Sequence, residues 1–333
     1  EFPQTHPQAP GLLRAVAEEL KAAFIQDGHL RGRIIRQAPG PRKQTDPHEP
    51  EDRSPTTVPG RNRLMQTGAC AHQAPRRDYF PSCQVRATID FMRVLVISDV
   101  HANILALESV LSDAGAFEAV WCLGDLVGYG PDPNDCIDRV RTLPEPLCLI
   151  GNHDQAALGN IPLSRFTRDA RETAGWTAQV LTPDNQAFLR SLPSKITFGA
   201  FTLTHGSPRQ PVWEYILDQH AAEHNFKAFD TNYCLVGHSH LPLMFQRDPQ
   251  ASYAAPVALR WWEPNLLSPR MIVNPGSVGQ PRDMDPRAAY AILDTDAMTW
   301  EPRRNGYDIA QVQLRLLRAG LPERQALRLV AGW

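Results

Sequence analysis

Five short clusters of carboxylate, imidazole and amide side chains stand out along the chain: Asp99-Val100-His101, Gly124-Asp125, Gly151-Asn152-His153-Asp154, His205 and Gly237-His238-Ser239-His240. Oxygen and imidazole donors without thiolate suit Mn²⁺, Fe, Zn²⁺, Co²⁺ or Ni²⁺ and argue against a structural zinc cage. Taken singly, an Asp or His at a strand end is more often a turn former or a cap, and Gly-Asn-His-Asp is compatible with an ordinary left-handed turn. Five such clusters in this order describe a site. Gly124, Gly151 and Gly237 let the backbone turn sharply or come close to it.

Several clusters follow apolar runs, so the chemistry sits where the chain leaves a sheet, as ligands do in open α/β sheets. Residues 93–98, 119–123 and 146–150 read as strands, with helices at 103–114 and 134–141 between them, a parallel βαβαβ unit. Residues 165–192 read as helical with a break at Pro183. A hairpin at 195–198 and 201–204 turns on Gly199-Ala200. Further strands at 233–236, 241–246, 271–273, 288–293 and 299–303 imply a second sheet. The tail, 307–330, reads as two short helices broken at Gly320-Leu321-Pro322.

At 333 residues and 42% hydrophobic content the chain can build a substantial core. Its 34 basic and 36 acidic residues nearly cancel, so no global field steers it to nucleic acid or an anionic membrane. A phosphate-bearing substrate would have to be held by local charge, metal ions being the obvious source. The six cysteines are scattered without a C-x-x-C pair, and Cys122, Cys148 and Cys234 fall inside apolar runs, as small buried hydrophobes do. A reducing compartment follows. With no membrane-length apolar stretch and no secretory signal pattern, a cytoplasmic location is expected.

Residues 1–91 differ in character: prolines recur, basic and polar residues dominate 31–77, and apolar periodicity is nearly absent apart from one amphipathic helical pattern at 12–25. The expectation is a poorly ordered extension, non-native to the protein, with Met92 as the natural start. A domain over 92–304 and a helical tail over 305–333 packed on it would follow.

The order of the clusters resembles the calcineurin-like metallophosphoesterase superfamily, in particular its bacterial phosphoesterases. The signature is D-x-H, G-D, G-N-H-[DE], a later His, and G-H-x-H, and it is complete between Met92 and about Asp294. The resemblance implies an α/β fold, a four-layer α-β-β-α sandwich of two mixed sheets with flanking helices. It also implies two divalent transition metal ions, Mn first, with Fe, Zn, Ni or Co as alternatives. Asp99, His101 and His240 would bind one ion, Asn152, His205 and His238 the other, and Asp125 would bridge them. A hydroxide shared by the two metals would attack phosphorus in line. His153 would face the leaving-group oxygen as proton donor or charge stabiliser, and Asp154 would orient it.

Beyond the ligands, Arg209 and Arg282 are candidates to contact substrate phosphate, Arg209, four residues from His205, having the better case, with a surface salt bridge as the alternative for either. Tyr129, in the loop after Asp125, is a pocket residue or part of a plain turn. Asn103 reads as the cap of the helix that follows, with a pocket role as the alternative. Trp213 and Tyr215 would roof the pocket or pack in the core, and His220 and His224 lie in a polar stretch read as a solvated face.

The expected partner is a small phosphate ester, a nucleotide among the options, with no membrane and no sequence-specific nucleic acid. Gly-Asn-His-Asp rather than Gly-Asn-His-Glu points from phosphoprotein phosphatases toward phosphodiesterases. Phosphoprotein and dinucleoside-polyphosphate phosphatases stay as alternatives. A non-catalytic scaffold, like the metallophosphoesterase-fold subunit of retromer, is a third, but such binding-only relatives tend to have lost ligands, and this chain keeps them.

Overall fold

The structure is a computed structural model that describes residues 92–251 and 253–333. The expected N-terminal extension and its helix at 12–25 lie outside the described residues. The first half of the domain runs β1 (Arg93–Ile97), α1 (Ile104–Asp113), β2 (Ala119–Cys122), α2 (Pro133–Arg141), β3 (Pro146–Cys148) and α3 (Asn152–Ala157). Then come α4 (Arg168–Val180), α5 (Pro183–Ser191), β4 (Lys195–Phe198), β5 (Phe201–Thr204), α6 (Gln219–Phe226) and β6 (Tyr233–Leu235). The chain ends with β7 (Pro242–Gln246), β8 (Ala255–Pro256), β9 (Asn265–Leu266), β10 (Met271–Pro275), β11 (Ala288–Asp294), β12 (Thr299–Asn305), α7 (Ile309–Arg318) and α8 (Glu323–Ala331).

The strands form two mixed six-stranded sheets, in the orders β3-β2-β1-β11-β12-β9 and β4-β5-β6-β10-β7-β8. Strand β1 is parallel to β2 and antiparallel to β11, while β6 is parallel to both β5 and β10. The continuous apolar run of β1 is explained by burial of both its faces. Val94 and Val96 meet Trp121, Phe201, Leu203, Leu235 and Val273 between the sheets. Leu95 and Ile97 point the other way, onto Leu107 and Val110 of α1 and Ile137 and Val140 of α2. On the far side of the second sheet, Cys234, Phe245 and Ile272 pack on Ala222 and Phe226 of α6. The result is the expected four-layer α-β-β-α sandwich.

Differences from the sequence reading are local. The third strand, expected to run to residue 150, ends at Cys148: the Leu149 N–H still bonds to Cys122 O at 2.9 Å, but the Ile150 N–H turns away to Pro193 O at 3.0 Å. Helices α3 and α6 were not foreseen. α3 has only six residues, beginning with the polar Asn152-His153-Asp154, too short for an apolar period to show. α6 is set by its cap, with Asp218 accepting from the His220 and Ala221 N–H groups. It places His220 and His224 in a helix. Asn103 caps α1 by accepting from Ala106 N at 3.1 Å, and its amide also donates to Gly279 O. No helix among the described residues is long and apolar enough to cross a membrane.

The parallel strands β1, β2 and β3 deliver the first three clusters from their C-terminal ends, and β5 and β6 deliver His205 and Gly237-His238-Ser239-His240.

Candidate metal centre

The clusters converge on one buried site. Two groups of side chains, Asp99 with His101 and His240, and Asp125 with His205 and His238, each bring their donor atoms within 4.8 Å of one another. Asn152 joins the second group, its Oδ1 lying 3.1 Å from His205 Nε2. Asp125 stands between the groups: its Oδ2 is 3.2 Å from His205 Nε2 and 3.7 Å from His101 Nε2. Asp99 Oδ1 lies 3.2 Å from His240 Nε2.

Backbone geometry is spent on this convergence. Asp99, His101, Asp125, His238 and His240 all have positive φ, between 48° and 62°, a left-handed conformation that costs a non-glycine residue on the order of 1 kcal/mol. Main-chain bonds hold them there, Asp99 N–H to Gly124 O and His101 N–H to Asp125 O, both at 3.0 Å. Gly151 has no room for a side chain, because a Cβ would strike the Asp125 carboxylate. Gly128, at φ 89°, lies against the His153 ring in the same way.

The histidine protons are accounted for. Carbonyl oxygens only accept, so Nδ1 carries the proton in His101 (to Val127 O, 3.1 Å), His205 (to Leu123 O, 2.9 Å) and His240 (to Gln280 O, 2.5 Å). In His101 and His240, which burial keeps neutral, Nε2 therefore turns its lone pair into the site, while His205 Nε2 faces Asp125 Oδ2 at 3.2 Å. His238 is reversed, with Nε2 donating to Trp213 O at 3.2 Å and Nδ1 left as the free donor atom.

Asp99 Oδ1 and Asp125 Oδ2 are buried and accept no hydrogen bond, while Asp99 Oδ2 receives Ser98 Oγ–H and His238 N–H, and Asp125 Oδ1 receives His153 N–H. Orphaned carboxylate oxygens beside imidazole lone pairs are the donor set of a divalent cation, and the residues fit two such ions.

Burial opposes ionisation of Asp99 and Asp125, yet both carboxyls are held below their ordinary range, Asp99 chiefly by His240 and Asp125 chiefly by His205. Burial lowers His101 and His240, and takes His153 down to about 4 and His238 to about 3. In His205 burial is outweighed by the Asp125 charge, which raises it to about 9.

His153 sits beside the donors rather than among them. Its ring is 5.0 Å from that of His101, 4.4 Å from Tyr129 and 5.1 Å from Phe166, and its buried Nδ1 has no partner. The expectation that Asp154 orients His153 is corrected. Asp154 accepts from the main-chain N–H groups of Asp125 (3.0 Å), Val127 (3.1 Å) and Gly151 (2.9 Å), so it braces the loop that carries Asp125. Burial, with the Asp125 charge adding, pushes its carboxyl up to about 7 against those three donors.

Of the two candidate arginines, only Arg282 reaches the centre. It donates to Tyr129 Oη at 3.3 Å and to Gln280 Oε1 at 3.2 Å, and its charge disfavours protonation of His101, His153 and His240. Among the described residues it forms no ion pair, and its Nε is buried without a partner. Arg209 instead pairs with Glu214 at 3.4 Å. Tyr215 stacks on His238, ring centroids 3.9 Å apart, with 44% of its surface exposed. Gln280, whose main chain anchors His240, was missed by sequence reasoning, since a backbone carbonyl leaves no mark in residue identity.

Residues 92–298 match the calcineurin-like phosphoesterase superfamily domain. An uncharacterized protein of Methanocaldococcus jannaschii is 34% identical over 256 residues, spanning 72% of this chain and 98% of that protein. A crystal structure of a metallophosphoesterase from Sphaerobacter thermophilus is 46% identical, covering 73% of this chain and all of its own, with a TM-score of 0.67. A hypothetical protein from Pyrococcus horikoshii, 21% identical over 72% of this chain and 98% of its own, shares the fold with a TM-score of 0.61. With the signature clusters gathered at one site and most of the chain matched, this protein belongs to the calcineurin-like phosphoesterase superfamily.

Proposed function

We propose that the protein is a dinuclear metal-dependent phosphodiesterase acting on small phosphate esters, nucleotides among them. The observation that carries the reading is the pairing of two donor groups across Asp125, with the histidine protons committed elsewhere. Asp99, His101 and His240 would hold one divalent transition metal and Asn152, His205 and His238 a second, with Asp125 available to both and Mn²⁺ the ion to test first. When bound, such ions acidify water and offset charge on phosphoryl oxygens.

The remaining steps fall to the protein's own residues. Arg282 holds a non-bridging phosphoryl oxygen through its free N–H groups, and the Tyr129 hydroxyl, bonded to it, lines the same pocket. His153 packs Nδ1 against Gly128, so Nε2 is the nitrogen that serves the leaving-group oxygen. The exposed face of Tyr215 offers an apolar wall to the ester group. Gly-Asn-His-Asp in place of Gly-Asn-His-Glu favours diesters over monoesters. Arg209, paired with Glu214, has no part in this assignment.

The test is a substrate panel on the Mn²⁺-loaded protein: bis-p-nitrophenyl phosphate, p-nitrophenyl phosphate, cyclic nucleotides, dinucleoside polyphosphates and a phosphopeptide. Diester turnover should exceed monoester turnover. A preference for monoesters or phosphopeptides overturns the diester assignment, and no turnover of any member overturns the enzyme reading.

A further inference from the structure

Helices α7 and α8 lie beyond the residues that match the family, yet buried side chains tie them to the centre. Gln325 of α8 is 1% exposed and Gln280 2%. Gln325 Oε1 accepts from the Gln280 side-chain amide at 2.9 Å, and Gln280 Oε1 accepts from Arg282 at 3.2 Å. The two ends of a primary amide differ, one donating and one accepting. Because Gln325 takes up the NH₂ of Gln280, the oxygen of that amide is what Arg282 meets. The reverse orientation would set donor against donor.

Stability alone does not explain an amide at position 325. Leu316, Leu321, Ala326 and Leu329 already form an apolar cluster in this helix pair. Gln325 Nε2 is buried there without a partner, which costs free energy that a hydrocarbon side chain would not.

We infer that Gln325 is a positioning residue: acting through Gln280, it fixes the guanidinium of Arg282, so the C-terminal helix pair sets the affinity of the centre for the phosphoryl group. The inference rests on the reading of Arg282 as the arginine that holds phosphate.

The experiment compares wild type, Gln325→Leu, Gln325→Glu, Arg282→Ala and the double variant Arg282→Ala/Gln325→Leu, all as full chains loaded with Mn²⁺. It reads KM and kcat on bis-p-nitrophenyl phosphate, the rise in Tm caused by inorganic phosphate, and metal content. Gln325→Leu should raise KM about tenfold, the loss of roughly one well-placed hydrogen bond, and shrink the phosphate-induced rise in Tm. Its kcat and metal content should stay near wild type. Gln325→Glu keeps an acceptor for Gln280 and should bring KM back toward wild type. In the Arg282→Ala background, Gln325→Leu should add nothing to KM.

Gln313→Leu is the control for a purely structural role. It loses only a bond to Ala326 O in the same helix pair, and should lower Tm without moving KM. Gln325→Met, closer in shape, gives the same reading should leucine unfold the pair. An unchanged KM in the Gln325 variants, with KM raised in Arg282→Ala, overturns this inference alone. An unchanged KM in Arg282→Ala overturns the assignment of Arg282 beneath it.

Discussion

His101 Nε2 and His240 Nε2 face each other at 3.0 Å, and each ring has already given its Nδ1 proton to a main-chain carbonyl. Two lone pairs at that distance repel unless a cation lies between them, so the apo site carries a cost that metal relieves. Chelation is expected to lower Tm, and Mn²⁺ to restore it in proportion to the logarithm of its concentration above Kd. A Tm indifferent to chelator and metal would mean that these rings are not ligands.

His153→Ala should separate chemistry from metal binding, because His153 touches the donors' surroundings without donating into either group. The expected outcome is a fall in kcat of about 10²–10³-fold with both metals retained, the range for loss of one hydrogen-bond donor to developing charge. Kinetics and elemental analysis on the same sample check it. Normal turnover would remove His153 from the mechanism.

Asp154 holds three main-chain N–H groups of the loop around Asp125, and this predicts a phenotype unlike that of His153. Asp154→Asn leaves one carbonyl oxygen where two carboxylate oxygens accepted. It should cost about 1–3 kcal/mol of stability and weaken metal retention together. Urea denaturation and metal titration measure both. A variant with full stability and metal affinity but reduced kcat would instead restore a link to His153.

For the metal-free protein the buried histidines set a pH window. His153 and His238, lowered to about 4 and about 3, refuse a proton that the unfolded chain takes up near 6.5, and His101 and His240 are shifted the same way. Groups with depressed histidine pKa values favour the folded state fully above 6.5 and lose that contribution as pH falls toward about 4. Asp154, pushed up to about 7, and Asp132, raised by burial, act in the opposite sense, two groups against four. Below its ordinary value His205 is charged in both states and contributes no slope. Apo-protein Tm should therefore drop between pH 6.5 and 4, and a flat or rising Tm would contradict the neutral, buried assignment.

Most of the centre was legible in the sequence because each cluster sits at the end of an apolar run. Val94 to Ile97, buried on both faces, had to be an interior strand, and Asp99 and His101 had to emerge at its end. Convergence of His205 with Asn152 was not a matter of local pattern: it needs the two sheets stacked, and reached the sequence reading only through the family signature. Asp154 was misread because neighbours in sequence need not face each other, and its side chain turns back onto the backbone of 125–127. Closeness to His205 in sequence favoured Arg209 over Arg282, and closeness along the chain misled. Only the fold shows that Glu214 occupies the first and leaves the second facing the centre. Strands β8 and β9, two residues each, are too short to show any alternation.

The central claim is that two cations share this site, and metal stoichiometry tests it most directly. After chelation and dialysis against Mn²⁺, elemental analysis should find two ions per chain in the wild type, with Asp125→Asn, which weakens the one carboxylate common to both groups, retaining fewer. Less than one ion per chain in the wild type under saturating Mn²⁺, Zn²⁺ and Ni²⁺ alike, or full retention by Asp125→Asn, would contradict the account.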